Sequence, residues 1–158
     1  MAKVYDAYCG LYCGACFVMR ANESGNVEKL AEEWNIKLED VLCDGCKTQV
    51  RFINCRSCEI RACAETKGIS FCFECQEYPC KSFSNFPTER LPHLVSMPEN
   101  LEYIKKNGLN NWLETQEQRW KCPQCGEKFS WYETTCEKCG NTLNSYPKPR
   151  KPPEKQRI

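Results

Sequence analysis

With 158 residues, 15 of them cysteine, and a formal net charge of +1, the chain has room for one ordinary domain or a small domain plus a module. No apolar run approaches the ~18 residues that a membrane span needs, which argues against a membrane protein. Lys148, Arg150, Lys151, Lys155 and Arg157 face only Glu154 after position 145, so the rest of the chain carries −3, and a basic nucleic-acid footprint over the folded part is not expected.

In chain order, a helix is expected from about Gly14 to Ala21, ending near Ser24-Gly25. A second should span Val27 to Trp34, where Val27, Leu30, Ala31 and Trp34 fall at helical spacing behind an Asn26 N-cap. A third runs from Glu59 to Lys67 and closes at Gly68. The stretch 84–119 holds no cysteine and reads as helical. Ser96-Met97-Pro98-Glu99 has the form of a capping box, and Leu101 and Ile104 make an apolar stripe up to Gly108. Leu109, Trp112, Leu113 and Gln116 then form a further helix towards Trp120. Glu127-Lys128-Phe129-Ser130-Trp131-Tyr132 alternates as the strand of a ribbon hairpin would. After Tyr146, Pro147, Pro149, Pro152 and Pro153 among basic residues predict an extended, disordered tail.

The expected fold is a small, metal-stabilised α+β protein of short helices and irregular cysteine loops, a helical connector and a C-terminal zinc-ribbon β-hairpin. Its expected parts are a cysteine-rich multi-metal domain over 1–83, a helical connector over 84–119, a zinc ribbon over 120–144 and the basic Pro-rich tail over 145–158. The core is small, and a structural zinc contributes about 10–16 kcal/mol of apparent folding energy, so metal would hold the N-terminal half together.

The cysteines fit metal ligation better than a disulfide framework. Their number is odd, the first residues lack the basic and apolar segments of a secretory leader, and six pairs stand at C-x-x-C spacing. Thiolates two residues apart can bite one tetrahedral ion. About three to four Zn2+ sites are expected, in a reducing compartment, the cytoplasm.

The strongest motif is Cys122-Pro-Gln-Cys125-Gly followed by Cys136-Glu-Lys-Cys139-Gly. Each C-x-x-C-G unit has the form of a zinc knuckle, the glycine letting the backbone turn its amides toward sulfur. In the middle of the chain, Cys43, Cys46, Cys55 and Cys58, then Cys63, Cys72, Cys75 and Cys80, read sequentially as two four-thiolate sites. An interleaved grouping, 13/16 with 43/46 and 55/58 with 72/75, stays open. Cys9, Cys13 and Cys16 form C-x3-C-x2-C with no fourth cysteine nearby. That string resembles the cluster-binding signature of radical S-adenosylmethionine enzymes, but those use a βα barrel of roughly 200 residues or more, and no βα repeat exists here. The triplet is left with a zinc completed by a distant ligand, or an iron–sulfur cluster with incomplete cysteine ligation. His93, the single histidine, is one candidate for the missing ligand; a packed or solvated imidazole is the ordinary alternative.

Several strings together resemble a cysteine-rich bacterial and archaeal family catalogued as a domain of unknown function. They are Cys9-Gly10-Leu11 with Cys13 and Cys16; Cys43-Asp44-Gly45-Cys46; Cys55-Arg-Ser-Cys58-Glu-Ile60-Arg61-Ala-Cys63 with Lys67-Gly68; and Cys72-x-x-Cys75-Gln-Glu-Tyr78-Pro79-Cys80. Asn111-Trp112-Leu113-Glu114 and Trp120-x-Cys122-Pro123-x-Cys125-Gly126 extend the likeness. The resemblance implies a metal-binding, zinc-type protein and no assigned activity.

Three functions follow as expectations. The first is a non-catalytic zinc protein whose partner is another protein, since closed four-thiolate sites leave no coordination position for chemistry. The second is an iron–sulfur redox or sensing protein using Cys9, Cys13 and Cys16. The third is nucleic-acid binding through the ribbon and tail. A cysteine nucleophile is not supported, because it wants a nearby base and only His93 is on offer. Whether the chain is an enzyme is undecided, with the balance against it.

Overall fold

The computed structural model describes residues 2–148, and the greater part of the expected basic tail lies outside them. The described residues fold as short helices joined by loops: α1 (Phe17–Ser24), α2 (Val27–Trp34), α3 (Leu38–Val41), α4 (Ile53–Arg56), α5 (Glu59–Lys67), α6 (Lys81–Ser84), α7 (Met97–Asn107) and α8 (Leu109–Arg119). Single 3₁₀ turns lie at Cys13–Ala15, Cys72–Glu74 and Pro92–Ser96.

α2 and α5 occupy the spans expected from their apolar spacing, and α5 closes on Gly68, whose left-handed backbone returns its N–H to the carbonyls of Ala64 and Glu65. The first helix begins later than expected, because Cys13–Ala15 forms a tight turn before α1. Two capping expectations fail. Asn26 precedes α2 but its side chain donates to Ser24 Oγ (2.9 Å) and caps nothing. Ser96 is already helical, since the chain enters α7 through the preceding 3₁₀ turn, and its hydroxyl donates to the His93 carbonyl (3.0 Å).

The expectation of a β-hairpin, and with it an α+β class, is overturned. Among the described residues there is no sheet or hairpin, only three isolated antiparallel bridges: Asp6 with Tyr12, Lys121 with Lys128, and Thr135 with Thr142. The alternating segment 127–132 is drawn away from strand pairing. Phe129 N–H still reaches the Trp120 carbonyl (3.0 Å), but Trp131 N–H donates across the molecule to Ala15 (3.1 Å). The Trp131 ring stacks on His93 with centroids 3.8 Å apart. Burying two aromatic faces is worth more than continuing a two-stranded ribbon, which is marginal by itself.

Two apolar clusters hold the chain. The smaller joins Val18 and Met19 of α1, Ala31 of α2, Val41, Cys43 and Phe52, with Trp34 wedged between Phe17 and Phe52. The larger centres on Leu101, Ile104 and Trp112 of α7 and α8, and takes in Tyr12 and Ala15 from the first loop and Trp120, Phe129, Trp131 and Leu143 from the C-terminal loops. Leu101 and Trp112 are almost wholly buried, and truncating side chains so placed costs about 3–5 kcal/mol. The N-terminal segment is pinned by Val4 N–H to the Asp44 carbonyl (2.7 Å) and by the Asp6–Lys47 ion pair (2.6 Å). The Lys47 ammonium also lies over the Phe71 ring, 3.9 Å from its centroid. No described helix is long and apolar enough to cross a membrane.

Candidate metal centre

Cys122, Cys125, Cys136 and Cys139 converge, all four sulfurs lying within 4.8 Å of one another. The construction is local and repeated. Within each C-x-x-C-G unit the glycine sits at φ +74°, so Gly126 N–H returns to the Cys122 carbonyl (2.9 Å) and Gly140 N–H to Cys136 (2.8 Å). One bridge closes the ends of each loop, with Cys122 N–H on Glu127 (2.7 Å) and Cys136 N–H on Asn141 (2.8 Å). Each loop is thus a finished unit, and the site forms where the two face each other.

The donor set fits a single ion. Metal–sulfur bonds of about 2.3 Å in a tetrahedron give sulfur–sulfur edges of about 3.8 Å. Here Cys122 and Cys139 stand 3.6 Å apart, and Cys125 and Cys136 3.5 Å. Electrostatics favours a cation as well. Burial opposes ionisation of Cys122, but the amides of Cys125 and Gln124 and the neighbouring thiols outweigh it and hold that thiol down at about 6. The Asn141 amide favours the Cys139 thiolate, yet burial and the three other thiols push Cys139 up to about 12. The set gives up a first proton readily and resists giving up the last unless a positive ion sits among the sulfurs. This four-cysteine site can bind a metal ion.

The eleven cysteines of the N-terminal half are arranged differently. No three of their sulfurs approach one another as closely as the C-terminal four. Cys43, Cys46, Cys55 and Cys58, sequential neighbours, do not reach that spacing, although burial and then the thiols of Cys16, Cys43, Cys46 and Cys58 raise Cys55. Cys43 is buried in the smaller cluster, whereas Cys46 and Cys58 pack on the larger one with Cys9 and Cys72. Cys13 and Cys16 touch both clusters, and Cys43 is fixed by its N–H on Asn22 Oδ1 (3.0 Å). Burial, then the neighbouring thiols Cys46, Cys16 and Cys55, raise the Cys13 thiol far above its ordinary range. Burial likewise raises Cys16 to about 11, against amides of α1, and Cys46 to about 11, reinforced by Cys58.

Cys63, Cys72, Cys75 and Cys80 line one cavity between α5 and the loop before α6. Burial and the Cys80 and Cys63 thiols push Cys72 up to about 12, while the Glu77 amide and the Lys67 ammonium pull Cys75 down. His93 is not among any of these groups. It is buried, stacked on Trp131, with Nδ1 paired to the Tyr132 hydroxyl, and burial lowers it to about 3. No local pattern signals this pairing, since His93 and Tyr132 are 39 positions apart.

Residues 5–85, just over half of the chain, match a family described as a protein of unknown function (DUF3795). No curated protein and no solved structure matches. The match ends before the C-terminal four-cysteine site, which lies outside the matched residues; the chain belongs to the DUF3795 family.

Proposed function

We propose that this chain is a non-catalytic zinc protein, with one structural Zn2+ held by Cys122, Cys125, Cys136 and Cys139, and that the surface so fastened docks another protein. The observation that carries the reading is closure: four sulfurs at tetrahedral spacing supply every ligand that a structural zinc takes. A saturated ion leaves no position for water or substrate, so the chemistry it supplies is structural. Zinc is the commoner structural occupant of such a set. The chain's single imidazole is engaged with Tyr132 and Trp131, which leaves no histidine free to activate a thiol. The acidic balance of the body speaks for a protein partner over a nucleic acid.

Metal quantification on the full chain tests the first part. One zinc per chain should be lost on Cys136→Ser, and zinc unaffected by that change would end the reading. DNA or RNA binding that weakens steeply as salt rises would overturn the protein-docking part.

A further inference from the structure

The cavity between α5 and the 69–83 loop is a second thiol-lined space, and it differs in kind from the C-terminal site. It has a volume of about 510 Å3 and is lined by Cys63 from α5 and by Cys72, Cys75 and Cys80 from the loop, with Ile69 and Phe83 among its apolar walls. The loop is braced rather than draped. Cys72 N–H donates to the Tyr8 carbonyl (2.8 Å), Cys75 N–H to Cys72 (3.1 Å), Tyr78 N–H to Cys75 (3.1 Å) and Ser84 N–H to Cys80 (2.9 Å). The Tyr78 ring meets Phe83 edge-on at 5.0 Å.

Two features decide what such a space accepts. First, four cysteines line one cavity without closing on one point: no three of the sulfurs lie within 4.8 Å of one another, the approach that the C-terminal four achieve. A mononuclear tetrahedron needs edges of about 3.8 Å, whereas a polynuclear cluster carries one thiolate on each corner iron and needs its ligands set wider around a real volume. Second, Lys67 Nζ donates to Cys75 Sγ at 3.1 Å while paired with Glu77. A hydrogen bond to a ligand sulfur and a cation beside it suit an anionic thiolate cluster.

We propose that Cys63, Cys72, Cys75 and Cys80 hold an iron–sulfur cluster in this cavity. The site is independent of the zinc proposed for the C-terminal loops. It also differs from a cluster at Cys9, Cys13 and Cys16, because those thiols do not line the cavity.

The test uses the full chain, produced with iron and purified without oxygen. Iron and acid-labile sulfide should be present together, roughly four of each per cluster, with broad absorption near ~400 nm. Cys72→Ser combined with Cys80→Ser should abolish the iron, the sulfide and the colour, with the zinc bound at Cys122–Cys139 retained. Because that variant can fail to fold, wild-type protein is also alkylated with iodoacetamide before and after removal of iron, and the modified cysteines are read by mass spectrometry. Cys63, Cys72, Cys75 and Cys80 should be protected at least tenfold while iron is present and become reactive when it is removed. Zinc without sulfide, or alkylation of Cys63 and Cys75 at the same rate in both states, would overturn the proposal. Iron whose protection maps to Cys9, Cys13 and Cys16 would overturn it equally.

Discussion

The two cysteine regions solve the problem of holding thiols in opposite ways. At the C-terminal end the sulfurs come first: two short loops, each closed by one bridge and one left-handed glycine, set four sulfurs at contact distance, with Cys122 and Cys136 buried against the larger cluster. In the N-terminal half the fold comes first. Cys9 and Cys43 are buried, and Cys13, Cys16, Cys46, Cys58 and Cys72 are packed against apolar clusters with their thiols spread along the contacts. One region has a thiol held down at about 6, and the other has thiols raised by burial. The loop amides and neighbouring thiols thus favour the Cys122 thiolate, whereas burial opposes ionisation of Cys13, Cys16 and Cys46. The contrast teaches that cysteines of one chain can be placed by a local loop in one region and by tertiary packing in another.

The largest effect separates these two modes. Cys136→Ser, or a strong chelator, should remove the apparent stabilisation of a structural zinc, about 10 kcal/mol, from the segment around 120–146. α1, α2 and α5 should keep their amide protection. Hydrogen exchange read segment by segment checks this, and simultaneous loss of protection in α2 would show that the two regions are not separate in this respect.

Gly45→Ala probes the other side. A Cβ there would lie 2.0 Å from the Val4 carbonyl oxygen on a backbone at φ +121°, so the N-terminal strap must move. A loss of more than about 3 kcal/mol is expected from strain of this kind, with the C-terminal metal still bound. Thermal melting paired with zinc quantification reads both.

His93 should make the seam between the regions sensitive to acid. Its folded-state value, about 3, lies below the ordinary 6.5, so the folded protein resists protonation more than the unfolded chain does. The contribution is complete above about 6.5 and lost as pH falls from there toward 3, at about 1.4 kcal/mol per pH unit. His93→Phe should flatten that part of the stability–pH curve relative to wild type, and an unchanged slope would remove His93 from the account.

The smallest effect tests how locally the C-terminal loops are built. A Cβ at Gly126 or Gly140 meets nothing within 4 Å, so Gly→Ala at either should cost only the left-handed backbone, about 1 kcal/mol. Zinc stoichiometry should not change.

Much of this was legible in the sequence, and the limits have physical causes. α2 and α5 were readable because an apolar face at helical spacing and a glycine stop are local properties. The C-terminal site was readable because each C-x-x-C-G loop makes its own geometry. The absence of a hairpin is not legible locally, because Phe129 and Trp131 alternate as a strand does, while the burial of Trp131 on His93 and its bond to Ala15 depend on residues far away in the chain. The partners of Cys43 and Cys46 were equally hidden. Neighbours in a C-x-x-C pair sit in different apolar clusters, and only tertiary packing decides which.

The bond from Trp131 N–H to the Ala15 carbonyl has a consequence in time. Ala15 lies between Cys13 and Cys16, so the first cysteine loop is strapped by a residue made more than a hundred positions later. Domains generally fold as they emerge during synthesis, N-terminal parts first. This loop emerges early and remains unfinished until the C-terminal third has left the ribosome, and Tyr146, whose N–H donates to the Trp131 carbonyl at 2.7 Å, is among the last described residues to tie it down. The loop that carries Cys13 and Cys16 therefore waits on the C-terminal third for one of its fastenings.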